Sequence, residues 1–297
     1  MEKRPKLILH FFAGLGNQQF QYAVAKLLAE KYNRELVLDD SYFLKRYHPI
    51  KNQGGYFSNG LQHYALPEKK VLYMQRELLG LLNIRAKVQA LYRRLSFHAH
   101  VLPRLLLQSD EDEEAVLKGK KTVILFGYFQ AHSILKSKYS ELSSIFRPKF
   151  NVSSENKVYL AKAEQNGSVS MHVRRGDYLK IATYKELGPE YYEAGLREIK
   201  KRVKVTSILI FSDDIGWAKR NFQFEEEVIY VESKGPDYEH QYIMRKCAHN
   251  VTANSTFSWW AACMNKNKNK IICTPEKWFK GCDAKGEIYI PPEWIQL

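Results

Sequence analysis

The chain has 297 residues, enough for about two domains of roughly 150 residues each, and its 45% hydrophobic content is ordinary for a protein that buries a core. Lys and Arg outnumber Asp and Glu by 46 to 32, a formal charge of +14. That balance suits nucleic acid, an acidic membrane surface or a phosphorylated small molecule without choosing among them. No apolar run approaches the roughly 18 residues of a membrane span, and residues 1–10 lack the apolar core of a secretory signal, so a cytoplasmic protein is expected.

Apolar runs rich in β-branched and aromatic residues predict strands at Lys6–Phe12, Glu35–Leu38, Thr122–Phe129, Ser168–Val173, Ser207–Phe211, Glu227–Val231, Val251–Ala253 and Lys270–Cys273. Between them, Phe20, Ala23, Val24, Leu27 and Leu28 share one helical face, as do Tyr192, Leu196, Ile199 and Val203. Strand and helix alternate, so the fold class is α/β. Residues 65–107 read as helices without strands. Their cations Lys69, Lys70, Arg76, Arg85, Lys87, Arg93, Arg94 and Arg104 form either a solvated face or a contact with anionic lipid headgroups. The acidic run 110–114 is expected to open a helix rather than to bind metal. A polar stretch around Arg147–Lys157, with Pro148, divides the chain into domains 1–150 and 151–297.

Cys247, Cys263, Cys273 and Cys282 show no zinc spacing and are expected to be reduced and buried. The sequons at Asn151, Asn166, Asn250 and Asn254 are chance matches in a cytoplasmic chain.

Four motifs carry chemistry. The turn Gly14-Leu-Gly16-Asn17-Gln18 partly matches the dinucleotide fingerprint, with Asp39 and Asp40 near the ribose-binding position. This supports a nicotinamide-dependent oxidoreductase built on Gly14-x-Gly16. Gln19, however, stands where the third glycine should let helix and strand approach. Asn17 and Gln18 remain as amides that can meet a sugar or phosphate, or cap the helix. The second motif, Met171-His172-Val-Arg174-Arg175-Gly-Asp177-Tyr178, follows a strand end. Adjacent residues of extended chain point oppositely, so one arginine should face a ligand and the other anchor the loop, with Asp177 able to fix a guanidinium. The third, Phe211-Ser-Asp213-Asp214, puts carboxylates where they can meet a base or ribose, or cap a helix. The fourth, Asn254-Ser255-Thr256-Phe257-Ser-Trp-Trp260, offers hydroxyls and main-chain N–H groups at a helix start, where anions bind. Arginine, acid and helix start together describe a nucleotide-diphosphate site, which suits a sugar-nucleotide donor. A basic RNA- or membrane-binding module would account for the charge but not for these motifs.

His172-Val-Arg-Arg-Gly-Asp-Tyr178, Phe211-Ser-Asp-Asp214, Asn254 to Trp260 and Gly14-Leu-Gly-Asn-Gln18, with Gly127-Tyr-Phe-Gln130, Cys247-Ala-His-Asn250 and Pro292-Glu-Trp-Ile295, resemble bacterial α-1,2-fucosyltransferases of glycosyltransferase family 11. The resemblance runs from about residue 6 to Leu297. It implies a GT-B fold of two Rossmann-like domains, an N-terminal acceptor side (1–150) and a C-terminal GDP-fucose side (151–297). It also implies inverting transfer of L-fucose from GDP-β-L-fucose to the 2-hydroxyl of a galactoside, without metal or other cofactor. The acceptor would be a galactose-containing oligosaccharide or lipid-linked glycan in surface polysaccharide or O-antigen synthesis, with no nucleic acid partner. The surplus basic charge would meet the inner face of an anionic membrane. Residue by residue, Arg174 is similar to the arginine on the donor's β-phosphate and leaving oxygen, and His172 to a donor-site neighbour. Asp213 and Asp214 match carboxylates near the nucleoside. Asn254, Ser255, Thr256 and Phe257 match the phosphate-binding loop, Asn17 comes from the opposite domain, and Arg175 and Asp177 support the site. Ala13 and Gln19 depart from the family pattern. No general base is assigned among His10, Asp39, Asp40 and His132.

Overall fold

A computed structural model describes residues 3–44, 58–71, 103–107, 112–176, 178–280 and 288–297. Asp177, Cys282 and most of the basic stretch 65–107 therefore lie outside the described residues. The chain divides into two compact units, Met1–Lys138 and Tyr139–Leu297, each built on a parallel sheet.

The first unit comprises β1 (Lys6–His10), α1 (Leu15–Lys31), β2 (Glu35–Asp39), β3 (Lys69–Lys70), β4 (Arg104–Leu107), α2 (Glu113–Lys118), β5 (Val123–Phe126) and α3 (Ser133–Ser137). Its strands lie in the order β3-β2-β1-β5-β4. Parallel strands are covered on both faces and so read as continuous apolar runs. β1 and β5 fit that rule, with Leu7 opposite Val123 and Ile8 opposite Ile124. The expectation of a strandless 65–107 is corrected here. Lys69–Lys70 adds to β2, and Arg104–Leu107 pairs with β5 through Leu105 and Leu106, both buried. A leucine run this short carries no period, and leucine favours helices, so sequence alone misassigns it. The two exposed lysines of β3 suit a sheet edge, which charge protects from further pairing.

Arg34 braces this unit from a buried position. Its guanidinium donates five hydrogen bonds to main-chain carbonyls: Nε to Leu117 (2.8 Å), Nη1 to Lys6 (3.1 Å) and Lys121 (2.9 Å), and Nη2 to Val116 (3.3 Å) and Gly119 (2.5 Å). One side chain thus ties the start of β1 to the end of α2 and the approach to β5.

The second unit comprises α4 (Tyr139–Ile145), α5 (Ser154–Ala163), β6 (Ser168–Val173), α6 (Pro189–Lys200), β7 (Ser207–Ser212), α7 (Ile215–Asn221), β8 (Glu227–Tyr230), α8 (Asp237–Met244), β9 (His249–Val251), α9 (Thr256–Cys263), β10 (Ile272–Thr274) and β11 (Ile295–Gln296). The order β11-β10-β9-β6-β7-β8 is the doubly wound 3-2-1-4-5-6 arrangement read from the other edge, with its switch point between β6 and β9. On one face Val169, Met171 and Val173 pack with Tyr192, Leu196 and Ile199 of α6. On the other, Leu209 and Phe211 meet Ile243 and Met244 of α8. A methyl group at Gly195 would lie 2.8 Å from Val251 Cγ1, so glycine lets α6 approach β9. The Trp pair is core: both are fully buried, with ring centroids 5.0 Å apart, and Phe146 stands edge-on to Trp260.

Asn250 donates through Nδ2 to Ser170 Oγ (2.7 Å) and the Met244 carbonyl (2.9 Å), and its Oδ1 accepts from Asn265. Asn250 and Asn254 are both buried, so neither can accept a glycan in the folded chain. Cys247, Cys263 and Cys273 are free and buried, and burial pushes the Cys263 and Cys273 thiols up to about 12. Among the described residues no helix is long and apolar enough to cross a membrane.

Replacing Arg34 by Met would strand five carbonyls, those of Val116 and Leu117 on buried residues, with an expected loss of ~2–3 kcal/mol of unfolding free energy. Arg34→Lys should recover only part of that, because an ammonium offers three donors in place of five. Urea unfolding of the three proteins measures this, and a loss below ~1 kcal/mol for Arg34→Met would contradict the bracing role.

Candidate active site

In an open α/β sheet the ligand crevice lies beyond the carboxyl ends of the strands at the switch point. In the second unit those ends are Val173 of β6 and Val251 of β9, followed by Arg174–Gly176 and Thr252–Thr256.

The two arginines diverge as extended chain requires. Arg174 Nη1 pairs with Asp213 Oδ2 at 2.9 Å, and its guanidinium lies 5.3 Å from the Tyr178 ring centroid, with 32% of the side chain exposed. Arg175 is only 12% exposed, donates from Nη1 to Glu186 Oε1 at 3.0 Å and stacks 3.9 Å over Trp217. Its Nε is 3.9 Å from Asp214 Oδ2, a charge contact too long for a hydrogen bond. Arg175 therefore anchors the loop, and Arg174 is the arginine open to a ligand.

The acidic pair holds this loop. Asp213 Oδ1 accepts from the Arg175 main-chain N–H at 2.9 Å while its other oxygen meets Arg174. Asp214 caps α7: its Oδ1 accepts from Trp217 N at 2.9 Å, and its own N–H donates to Ser212 Oγ. A Cβ at Gly176 would stand 2.6 Å from Asp213 Oδ2, so glycine leaves space for that carboxylate.

Across the switch point, Ser255 is the N-cap of α9 yet makes no side-chain bond to the helix. Ser258 instead accepts from Ala253 N at 3.2 Å and donates to the Ser255 carbonyl. The first turn, at Thr256 and Phe257, thus presents main-chain N–H groups at the positive end of the helix. Asn254 has a different task. Its Nδ2 donates to the Lys185 carbonyl (2.8 Å) and the Trp278 carbonyl (2.9 Å), joining two loops that also meet in a Tyr184–Phe279 bridge. Tyr184 stacks on Tyr178 at 3.9 Å, so the tie leads through rings to the face that supports Arg174. The strand-end motif in the sequence ends at Tyr178 and gives that ring no role, and Tyr184 and Phe279 lie outside it. Aromatics in a loop just after an arginine-bearing strand end were the available signal.

His172 is buried, its ring 5.6 Å from that of Phe257. Burial, with the Arg174 charge nearby, lowers its pKa to about 3, so it is neutral at working pH. Its Nδ1 has no hydrogen-bond partner among the described residues.

In the first unit, Asn17 Oδ1 accepts from Gln130 Nε2 at 2.8 Å, across the switch point between β1 and β5. Gln18 is a buried brace. Its Nε2 donates to the Ala13 and Ser58 carbonyls, and its Oε1 accepts from Gly60 and Leu61 N–H. Ala13 adopts φ 64, the left-handed conformation a glycine would take without strain. His10 Nδ1 bonds Asp39 Oδ2, and Asp39 also accepts from Ser41 N and Oγ, so this carboxylate is engaged where a ribose would need it. Asp40 pairs with Lys70 (2.8 Å), and His132 with Glu113 (2.8 Å) while capping α3.

A histidine held below its ordinary 6.5 in the folded state is protonated first in the unfolded chain. Stability should therefore be full above about 6.5 and fall as pH drops toward about 3. The slope from this group is at most ~1.4 kcal/mol per pH unit. Urea midpoints at pH 4.5, 5.5 and 7 should show it in the native chain and a shallower dependence in His172→Gln; equal slopes would contradict the assignment.

The glycosyl transferase family 11 model matches residues 7–297. The O-antigen biosynthesis glycosyltransferase WbnK of Escherichia coli is 30% identical over 96% of this chain and 98% of its own. An alpha-1,2-colitosyltransferase of Escherichia coli is 25% identical over 98% of both. The galactoside 2-alpha-L-fucosyltransferase SEC1 of Bos taurus is 28% identical over 59% of this chain and 51% of its own. Among solved structures, an Arabidopsis thaliana FUT1 mutant in complex with GDP shares the fold at TM-score 0.56 and 14% identity, covering 91% of this chain and 70% of the other. The fold is of the GT-B class, and the chain belongs to glycosyl transferase family 11.

Proposed function

We propose that this glycosyltransferase moves L-fucose from GDP-β-L-fucose to the 2-hydroxyl of a galactoside, with inversion, in O-antigen or related surface glycan synthesis. The observation that carries the reading is Arg174, the partly exposed arginine at the switch point of a Rossmann unit, with the start of α9 following the neighbouring strand. The relatives named for O-antigen synthesis and for α-1,2 transfer, and the GDP held by the Arabidopsis fold relative, support it.

In the reaction the acceptor oxygen forms a bond to the anomeric carbon as the bond to the β-phosphate oxygen breaks. GDP leaves with the electron pair, and β becomes α. Negative charge grows on the departing diphosphate, where a preoriented guanidinium and helix N–H groups act most strongly. Arg174 would hold the β-phosphate, and Thr256 and Phe257 would offer N–H groups to the diphosphate. This positive charge takes the place of a metal ion, so the transfer is read as metal-independent. Asp213, Asp214, Arg175 and Asn254 then serve by fixing Arg174 and its loop. Neutral, buried His172 borders the donor. The first unit, with Asn17 and Gln130 at its own switch point, takes the acceptor. No general base is assigned, since His10, Asp39, Asp40 and His132 all have internal partners.

Arg174→Ala should stay folded and lose about 100- to 1,000-fold in turnover, the scale for removing one charge-stabilising donor. Arg175→Ala should lower the melting temperature as well, because it removes the Trp217 stack and the Glu186 bond. Near-native turnover by Arg174→Ala would refute the assignment.

Offered GDP-fucose or GDP-colitose with a panel of galactosides, the purified chain should give an α-1,2-fucosyl linkage by NMR and keep its rate in excess chelator. Preference for GDP-colitose would overturn the donor sugar, and loss restored by manganese would overturn metal independence.

A further inference from the structure

The carboxyl ends of β1, β2 and β5 carry a set of aromatic rings that none of the donor chemistry uses. Phe12, just past β1, is central. Its ring lies 4.8 Å from Phe126, nearly parallel, 4.9 Å from Tyr128, edge-on, and 5.9 Å from Tyr42. Phe126 in turn stacks on His10 at 5.4 Å, which the Asp39 carboxylate holds. The shelf is therefore stiff from beneath. Its outer member is Tyr128, 45% exposed, whereas Phe12 is buried.

The loop that presents Tyr128 is constrained on its far side. Phe129 is buried and adopts φ 58, a left-handed conformation that is strained for a bulky side chain. Strain of this kind persists where the surroundings overdetermine it, and it clusters at ligand sites. Gln130, the next residue, donates to Asn17 across the switch point. An exposed ring, a strained backbone and a polar amide pair thus occur together at the sheet edge where α/β units take ligands.

The chemistry of the shelf selects its occupant. An exposed tyrosine face flanked by amides suits a ligand with one apolar face and a polar rim, as a pyranose has. A galactoside has such a face: its axial 4-hydroxyl leaves the carbon-hydrogen bonds at carbons 3, 4 and 5 together on one side of the ring. A glucoside, with its hydroxyls equatorial, lacks so clear a face. Stacking by carbons 3 to 5 also leaves the equatorial 2-hydroxyl at the ring edge, uncovered. We propose that the Phe12–Tyr42–Tyr128 shelf is the acceptor subsite, with Tyr128 stacking on the hydroxyl-poor face of a galactoside and so selecting galacto over gluco configuration. This deepens the proposed transfer reaction and rests on it for the identity of the reacting hydroxyl.

Two measurements on the full chain test it. Saturation-transfer NMR with methyl β-galactoside should show strongest saturation at the protons on carbons 3, 4 and 5. The signal should be weak with methyl β-glucoside, lost in Tyr128→Ala and kept in Tyr128→Phe. In steady-state kinetics Tyr128→Ala should raise the galactoside KM about tenfold or more, with the GDP-fucose KM and the slow hydrolysis of donor in the absence of acceptor unchanged. The exposure of Tyr128 makes an intact fold the expectation, and an unchanged melting temperature checks it. Saturation that survives in Tyr128→Ala, equal saturation of both glycosides, or a rise confined to the donor KM would overturn the subsite. If Tyr128-dependent galactoside binding appears without fucosyl transfer, the shelf stands and the transfer reading fails. Transfer with an unmoved galactoside KM in Tyr128→Ala gives the reverse.

Discussion

The interaction on which the geometry of the second unit's crevice depends is the bidentate use of Asp213. One oxygen meets the guanidinium of Arg174 and the other accepts the main-chain N–H of Arg175, both at 2.9 Å. The carboxylate belongs to the loop after β7 and the arginines to the loop after β6, so one side chain fixes two adjacent strand ends. Charge-assisted bonds of this kind contribute about 1.5–3 kcal/mol each. The partly exposed ion pair falls at the low end of that range because solvent screens it. Gly176 is part of the same arrangement, since any side chain there would meet the carboxylate. The consequence is an arginine whose position is set before a ligand arrives, which is what stabilisation of developing charge requires.

Parallel topology supplies the rest. Both sheets place their chemistry beyond the carboxyl ends of strands that flank a switch point, β6 and β9 in one unit and β1 and β5 in the other. The strands there are buried along almost their whole length, so they are rigid supports, and the polar residues of the loops follow immediately after them. Asn254 extends this principle outward by tying the carbonyls of Lys185 and Trp278, which lie in loops far apart in sequence. A stack of rings then carries the constraint to Tyr178 and the guanidinium above it.

Legibility from sequence followed the strength of the physical signal. Ser207–Phe211 was readable because a buried parallel strand leaves an apolar run, and Ser168–Val173 because Val169, Met171 and Val173 recur at every second position; the observed strands match both within a residue. Lys69–Lys70 and Ile295–Gln296 were not, because two-residue strands have no pattern and form only where a neighbouring strand supplies the partners. Amides were the hardest to read. Asn17, Gln18 and Asn254 are chemically equivalent ligand donors in sequence, yet in the fold Gln18 and Asn254 serve main-chain groups of distant loops. Nothing local distinguishes these uses, because the partner carbonyls and N–H groups come from elsewhere in the chain. Arg34 makes the same point more sharply: a lone arginine in a turn gives no hint that it will bond five main-chain carbonyls.

Net charge also changes meaning once the fold is known. The formal +14 suggests a basic site, but around the two arginines the charges nearly cancel, with Asp213, Asp214 and Glu186 facing Arg174 and Arg175. Any preference of the crevice for anions would arise from arrangement: a partly exposed guanidinium held from behind by its own carboxylate, and a helix start whose cap serine makes no side-chain bond to the helix. Such a site discriminates by direction. A diphosphate that lies between Arg174 and the start of α9 would gain from both, whereas a diffuse polyanion would meet the compensating acids as well. On the proposed reading the fixed geometry therefore suits a small phosphorylated ligand better than a long polyanion, although the charge of the whole chain would suit either.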